Sequence, residues 1–495
     1  MAKKRSTTQP AEDQRQIESS MDPAQQTLAP PASTTAESVK SDSKDGKPGF
    51  AVVGLGASAG GLDAFKQFFV AMPADSGMAF VLVQHLDPTH ISLTDELLAK
   101  HTQMRVVQVS DGMPIEPNRV YVIPPNTYLT ISGKKLHLTE PLERRGMRVP
   151  IDFFFRSLAE EQQEKAIGIV LSGTGTDGTL GVREIKAAGG MVMVQSPETA
   201  QHDGMVRSAI NTDMVDYVEP IEKMPEVLKQ YVQHWYVNGN GKGPPLVEKA
   251  VDQMHIIVGL LRARIKYDFS CYKKGTLNRR VQRRMGIKHI DKLSDYVEFL
   301  RKNKDEVTAL YKDLLISVTN FFREPDAWAE LEKEVIVPLV HAHDSDMPIR
   351  VWIPGCATGE EAYSLAMLLM EQCHAADKAC NIQIFASDID QNGLAVARIG
   401  IYPESIAADV SPERLRQFFT KGEHTYRISK EVRDAVVFAE QNIVSHPPFS
   451  KLDLISCRNL MIYLEPEIQK KIFRLFHFAL KEGGCVFLGN SETIS

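Results

Sequence analysis

The chain has 495 residues, 43 % of them hydrophobic and 24 % charged, which is the balance of globular domains and not of a fibrous or low-complexity chain. At roughly 100–200 residues per domain, this length calls for two or three domains. The formal net charge of −6 argues against a generally cationic nucleic-acid binder, and no apolar run reaches the roughly 18 residues needed to span a membrane.

Residues 1–47 are rich in Ser, Thr, Gln, Pro, Lys and Asp and poor in large apolar side chains. Burial cannot offset the entropy of ordering such a segment, so a disordered tail is expected. Met1-Ala2-Lys3-Lys4-Arg5 leads into polar sequence and does not read as a secretory signal. Cys271, Cys356, Cys373, Cys380, Cys457 and Cys485 are too sparse for a disulfide scaffold and include no Cys-x-x-Cys pair. A reducing, cytoplasmic setting is expected.

Order begins at Phe50-Ala51-Val52-Val53. Over 48–236, apolar runs at 50–54, 79–84, 119–123, 167–172 and 190–194 alternate with helical patterns at 60–71, 92–101, 151–163 and 179–188. That alternation predicts a parallel sheet covered by helices. The stretch 237–245 contains three glycines and two prolines and reads as a linker. Residues 246–330 read as helical throughout. From 349 on, strands at 349–353, 382–387, 452–456 and 484–488 alternate with helices at 360–372, 391–398 and 465–480. The expected fold class is α/β, with two doubly wound parallel-sheet domains separated by a small all-α domain.

Val52-Val53-Gly54-Leu55-Gly56-Ala57-Ser58-Ala59-Gly60-Gly61 is a strand, a Gly-rich turn and a helix start. Three readings stand. The glycines suit a dinucleotide phosphate loop. Gly56-x-Ser58-x-Gly60 also suits a nucleophile elbow that exposes Ser58. The glycines can equally serve a tight turn alone. A dinucleotide site wants an acid at the end of the next strand, but Phe80-Val81-Leu82-Val83 ends in Gln84-His85. A histidine there suits a general base for a serine. His85-x-Asp87-x-x-His90 has a metal-like spacing without evident further ligands, so no metal is expected. Val170-Leu171-Ser172-Gly173-Thr174-Gly175-Thr176-Asp177-Gly178 is a third strand-to-glycine-loop segment. Its Asp177 can orient a base or cap the helix at 179–188.

These three segments resemble, in order and spacing, the catalytic domain of the chemotaxis-receptor methylesterase (CheB) family over about 48–236. The resemblance implies a Ser–His–Asp triad that hydrolyses glutamyl methyl esters, and often deamidates glutamines, on chemoreceptor helices. It makes Ser58 the nucleophile, His85 the base and Asp177 its orienter, and gives the oxyanion to the backbone amide of Thr174, where many members carry methionine. Members usually have a phosphorylatable receiver domain ahead of this one. The 47 residues here are too few for it, so phospho-regulation in cis is not expected.

Between 262 and 304, 14 Lys and Arg stand against 4 Asp and Glu. Arg279-Arg280-x-x-Arg283-Arg284 puts guanidinium pairs on one side of a helix, either as a solvated face or as an attractor of an acidic partner. No groove-reading or stacking-aromatic pattern accompanies it, so no nucleic acid is expected. Ile349-Arg350-Val351-Trp352-Ile353-Pro354-Gly355-Cys356-Ala357-Thr358-Gly359-Glu360-Glu361 is again strand, turn and helix, and the next strand ends in Ser387-Asp388. A carboxylate there suits the ribose of a dinucleotide or of S-adenosylmethionine. Glu360 and Glu361 would repel a pyrophosphate and tolerate a cationic sulfonium. Their plainer role is to favour a helix N-terminus.

Together with Thr319-Asn320-Phe321-Phe322-Arg323-Glu324 and Asp453-Leu454-Ile455-Ser456-Cys457-Arg458-Asn459-Leu460-Met461-Ile462-Tyr463, these segments resemble the chemotaxis-receptor glutamate O-methyltransferase (CheR) family over about 246–495. The resemblance implies a helical domain (246–330) and a class I methyltransferase domain (331–495) with a β-subdomain inserted near 401–440. It places Thr319, Arg323, Glu360, Asp388, Asn442, Asn459 and Leu460 around S-adenosylmethionine, with Arg323 and Tyr463 toward the methyl acceptor. Arg279, Arg280, Arg283 and Arg284 become a docking face for the acidic helix of a methyl-accepting chemotaxis receptor. Family members continue past Gly489–Ser495 with two more strands, and similar fusions proceed to sensor and histidine-kinase modules, so the chain reads as a fragment. The function expected is bifunctional receptor modification. The competing readings are a sensory scaffold without turnover and a small-molecule methyltransferase with an accessory hydrolase.

Overall fold

The structure, a computed structural model, describes residues 49–85, 93–140, 149–238, 248–315, 318–343 and 347–494. The expected tail, most of the expected linker, and Asp87 and His90 lie outside these residues. From Pro48 onward the chain forms one compact unit.

The first α/β region is built on seven parallel strands: β1 (Val52–Ala57), β2 (Ala79–Gln84), β3 (Arg105–Gln108), β4 (Arg119–Val122), β5 (Ala166–Val170), β6 (Met191–Gln195) and β7 (Tyr217–Glu219). Their order across the sheet is β7-β6-β5-β1-β2-β4-β3. Every residue of β1, β5 and β6 is buried, as parallel strands covered on both faces require. Val53, Leu55 and Ala57 pack with Phe65, Phe68 and Phe69 of helix α1 (Gly61–Ala71). Val52 joins the opposite layer with Phe154, Phe155 and Leu158 of α2 (Pro150–Gln162). Helix α3 (Thr179–Ala188) follows β5. The apolar pattern foretells five of the seven strands. β3 and β7 are short edge strands, largely uncovered, and carry no periodic apolar signal.

Gly54 and Gly56 lie inside β1, not in the turn, which corrects the phosphate-loop reading. A Cβ on Gly56 would sit 2.4 Å from Ile151 Cγ2, and one on Gly54 2.8 Å from Phe155 Cε1. Bare backbone at these positions lets α2 lie directly on β1, and its first turn then reaches the C-terminal end of the strand. The turn itself is made by Gly60, whose φ of +77° only glycine adopts without strain.

The helical region comprises α4 (Glu248–Ile265), α5 (Lys274–Ile287), α6 (Leu293–Lys302) and α7 (Lys304–Leu314). Its Leu261, Leu277, Val281 and Leu310 share one core with Trp352, Leu452 and Ile455 of the second sheet. That sheet has five parallel strands: β8 (Ile349–Pro354), β9 (Ile382–Asp388), β10 (Val436–Glu440), β11 (Leu452–Cys457) and β12 (Leu480–Leu488). They are ordered β10-β9-β8-β11-β12, and helix α8 (Glu360–Ala375) leaves β8. The inserted subdomain is the small antiparallel sheet Ile401–Pro403, Thr425–Ile428, Phe419–Lys421. It is shorter than expected, because Val436–Glu440 pairs with β9 and belongs to the main sheet. Among the described residues no helix is long and apolar enough to cross a membrane.

Candidate active sites

The first site forms where β1, β2 and β5 end together. Ala57 lies opposite Gln84, so Ser58 and His85 leave adjacent parallel strands at the same level. On the other side of β1, Gly56 lies opposite Val170, and the loop after β5 is delivered to the same edge. That loop is tied to the serine turn: Ser58 N donates to Ser172 O at 3.0 Å, and Ser172 Oγ donates to Ala59 O at 2.9 Å.

His85 Nε2 stands 2.7 Å from Asp177 Oδ2, with the imidazole one-third exposed (33 %) and the carboxylate buried (3 %). The same Oδ2 accepts from Ile151 N at 3.0 Å, and Oδ1 accepts from Asp152 N at 2.9 Å and Gly178 N at 2.8 Å. Asp177 is therefore seated on the first-turn amides of α2, where free N–H groups and the helix dipole favour a negative charge. It does not cap α3, whose N-cap is Gly178 with no side-chain bond. Asp152 is buried beside it, and burial followed by the charge of Asp177 pushes its carboxyl well above the usual range. Of these two acids it is Asp177 that faces the imidazole. Ser58 is half-buried, and Thr174 is exposed at the rim.

The second site is a cavity at the C-terminal ends of β8, β9 and β11, roofed by the helical region. Thr319, Arg323, Asp388, Asn459, Leu460 and Tyr463 all line it, although the sequence separates them by up to 144 positions. Two expected residues are not in its wall. Glu360 points away, accepting from Thr358 Oγ1 at 2.6 Å and facing Arg183 of the first α/β region. Successive helical residues are turned about 100° apart, so only one of two adjacent acids can face the cavity, and that one is Glu361. Asn442 is used in its own turn, its Oδ1 accepting from Val444 N at 2.9 Å, while Gln441 and Ile443 line the cavity. Tyr267 and Tyr272 also line it. They come from the helical region, far from any motif, and only packing of that region onto the sheet reveals them.

The cavity wall carries two acids, Glu361 and Asp388, and two arginines, Arg323 and Arg458. Asp388 Oδ2 accepts from Ala357 N at 2.8 Å and Oδ1 from Asp390 N at 2.9 Å, yet burial raises its carboxyl above the ordinary value. Burial pushes Glu361 up to about 7, although Ser456 Oγ donates to it at 2.6 Å and Arg458 opposes the rise. Two buried acids at such cost suit a ligand that brings positive charge, and Arg323 offers a counter-charge for a carboxylate. This is the donor set that the sulfonium, ammonium and carboxylate groups of S-adenosylmethionine need. Among the described residues no group of three or more His, Cys, Asp and Glu side chains is arranged for a metal ion.

The arginine cluster is not a docking face. Arg280, Arg283 and Arg284 are 3 %, 0 % and 5 % exposed, and Arg279 is half-buried. Arg280 donates to Lys186 O and Ala187 O, the terminal carbonyls of α3, at 3.2 and 3.0 Å. Arg283 donates to Gly190 O at 2.7 Å and pairs with Asp216 and, at 2.6 Å, with Asp313. Arg284 forks onto Glu306 at 2.8 and 2.7 Å. The helical spacing correctly puts these side chains on one face, but that face is covered by the first α/β region. Guanidinium groups spent there cannot hold a partner helix.

Comparison with known proteins follows the same divisions. Residues 53–228 match the family model of CheB methylesterase, 252–315 that of the CheR methyltransferase all-alpha domain, and 317–495 that of the CheR methyltransferase SAM binding domain. An uncharacterized 104.1 kDa protein of Rhodobacter capsulatus is 40 % identical over 418 residues, 80 % of this chain and 44 % of that protein. This chain therefore spans less than half of that relative's length. A putative protein-glutamate methylesterase/protein-glutamine glutaminase of Leptospira interrogans is 35 % identical over 174 residues, 35 % of this chain and 90 % of the relative. The putative methyltransferase Cher3 of Pseudomonas putida is 30 % identical over 250 residues, 49 % of this chain and 89 % of the relative.

Proposed function

The chain belongs to the CheB methylesterase family over its first α/β region and to the CheR methyltransferase family over the remainder, and on that footing we propose that it modifies glutamate side chains of chemoreceptor-like proteins in both directions. One region removes methyl groups from glutamyl esters and the other adds them. A reducing cytoplasm suits both reactions.

For removal, Ser58 Oγ attacks the ester carbonyl as His85 takes its proton. His85 Nε2 is committed to Asp177, which leaves Nδ1 for the serine. Asp177 holds the imidazole in the required tautomer and stabilises the imidazolium. The oxyanion is received by the backbone N–H of Thr174. The imidazolium then protonates the departing methoxide, and methanol leaves. Water activated by the same histidine releases the glutamate and restores Ser58.

For addition, S-adenosylmethionine supplies a methyl carbon made electrophilic by its attached positive sulfur. Asp388, after the second strand, would hold the ribose hydroxyls, Arg323 the carboxylate tail, and Glu361 the cationic end. An ionised glutamate is already a nucleophile and no proton is transferred, so the chain needs no general base. Its contribution is to align the acceptor beside Tyr463 and to exclude water.

The observation that carries this reading is that motif residues from four separated segments line one cavity. The test uses S-adenosylmethionine labelled in its methyl group and a chemoreceptor cytoplasmic fragment. Label should enter the receptor as a base-labile ester and then leave as methanol, and Ser58→Ala should stop only the second step. No incorporation and no release would sink the proposal.

A further inference from the structure

Helix α3 lies between the two candidate sites. It begins two residues after Asp177, and its last carbonyls are held by Arg280. In its middle, two charged residues turn toward the second α/β region. Arg183 Nη1 lies 3.4 Å from Glu360 Oε1, the two side chains 12 % and 3 % exposed. The next residue, Glu184, has the guanidinium groups of Arg156 and Arg323 and the side chain of Asn320 near it, and these oppose the rise that burial gives its carboxyl.

Arg183 reaches a residue next to the methyl-donor cavity, and Glu184 lies near one that lines it. Glu360 opens helix α8, and the following residue, Glu361, is in the cavity wall. Two successive buried carboxyls at one helix start repel each other, and Arg183 supplies a compensating positive charge. Arg323 lines the cavity too. Its Nη1 donates to Val318 O at 2.7 Å, and its charge acts with that of Arg156 on Glu184. A flexible guanidinium tied to a backbone carbonyl and drawn by a nearby carboxylate loses less entropy when it meets a ligand carboxylate.

We infer that Arg183 and Glu184, side chains of the methylesterase region, are positioning residues for the methyl donor of the methyltransferase region. The inference rests on reading the second cavity as the S-adenosylmethionine site. The methyltransferase pocket of this chain is then complete only with the esterase region docked against it, and α3 is the element the two sites share.

The experiment titrates S-adenosylhomocysteine calorimetrically into the full chain and into Arg183→Gln, Arg183→Lys and Glu184→Gln variants, each first shown to melt cooperatively. Loss of the charge should weaken binding by about tenfold or more in Arg183→Gln and Glu184→Gln. Arg183→Lys, which keeps the charge, should recover part of it. In turnover the loss should fall on KM for the donor, not on kcat, a split that mere loosening of the interface does not produce. Wild-type affinity in both folded neutral variants overturns the inference and leaves the cavity assignment standing. Failure of the wild-type chain to bind S-adenosylhomocysteine overturns the cavity assignment itself, and the inference with it.

Discussion

The amide of Ile151 and the carboxylate of Asp177 are 26 residues apart in sequence and 3.0 Å apart in space, on the same oxygen that faces His85. The contact exists because α2 lies on bare strand backbone at Gly54 and Gly56. Gly56→Ala would drive a methyl group into Ile151 and lift the first turn of α2. We expect a loss of about 1–3 kcal/mol in urea unfolding and a fall in ester hydrolysis together. Gly259→Ala is the contrast: its Cβ meets nothing within 4 Å on the exposed side of α4, and it should gain about 0.5–1 kcal/mol. Equal effects of the two would contradict the close-approach argument.

Ser58 and Asp177 should separate chemistry from folding. Ser58→Ala removes the nucleophile from a half-buried turn and is expected to cut methyl-ester hydrolysis by about 10³-fold or more with little change in melting temperature. Asp177→Asn replaces one of two accepting oxygens by an NH2 donor that must face at least one backbone N–H. It should cost about 1–3 kcal/mol of stability as well as about 10³- to 10⁴-fold in rate. Thermal melts and methanol release on the same samples decide the point.

Glu361 predicts a pH dependence of donor binding. Burial holds its carboxyl up near 7, Glu492 adds to the rise, and Ser456 and Arg458 oppose it. A cationic ligand favours the ionised form, so S-adenosylmethionine should bind tighter as pH rises from about 6 to 8, by up to about tenfold. Binding near pH 6.5 should release a proton, visible as a buffer-dependent heat. Glu361→Gln should flatten the profile. For stability the sign is opposite: the raised folded value contributes most below the unfolded value of 4.5 and is lost as pH passes through about 7. Glu361→Gln should therefore stabilise the apo chain at pH 8.

The buried cluster of Arg283, Asp216, Asp313 and Lys186 predicts how the regions stay together. Arg283→Met leaves two buried carboxylates short of a partner and should cost about 3–5 kcal/mol at pH 7. Burial alone would raise Asp313 and Asp216, but Arg283 and Lys186 hold both below the ordinary carboxylate range. Their contribution is present above the unfolded value and is lost as pH falls below about 4. The gap in urea midpoint between the wild type and the variant should be wide at pH 7 and narrow at pH 3.

Much of this was legible in the residues. Strands buried on both faces announce themselves as apolar runs, and the glycine turns with Ser58, His85, Asp177 and Asp388 fall at strand ends, where a parallel sheet gathers its functional groups. Edge strands such as Tyr217–Glu219 were not legible, because an uncovered strand need not be apolar. The arginine stripe misled for a related reason. Spacing tells which side chains share a helix face, but it says nothing about what covers that face.

Local pattern determined the element order, the two sheets and the chemical identity of most site residues, since these depend on neighbours a few positions away. Only the tertiary structure decided that Glu361 and not Glu360 enters the cavity, that α2 holds Asp177, and that Arg283 is a clasp between regions. Those facts depend on groups distant in sequence meeting at a few ångströms, and burial at that range sets which charges survive and what they can hold.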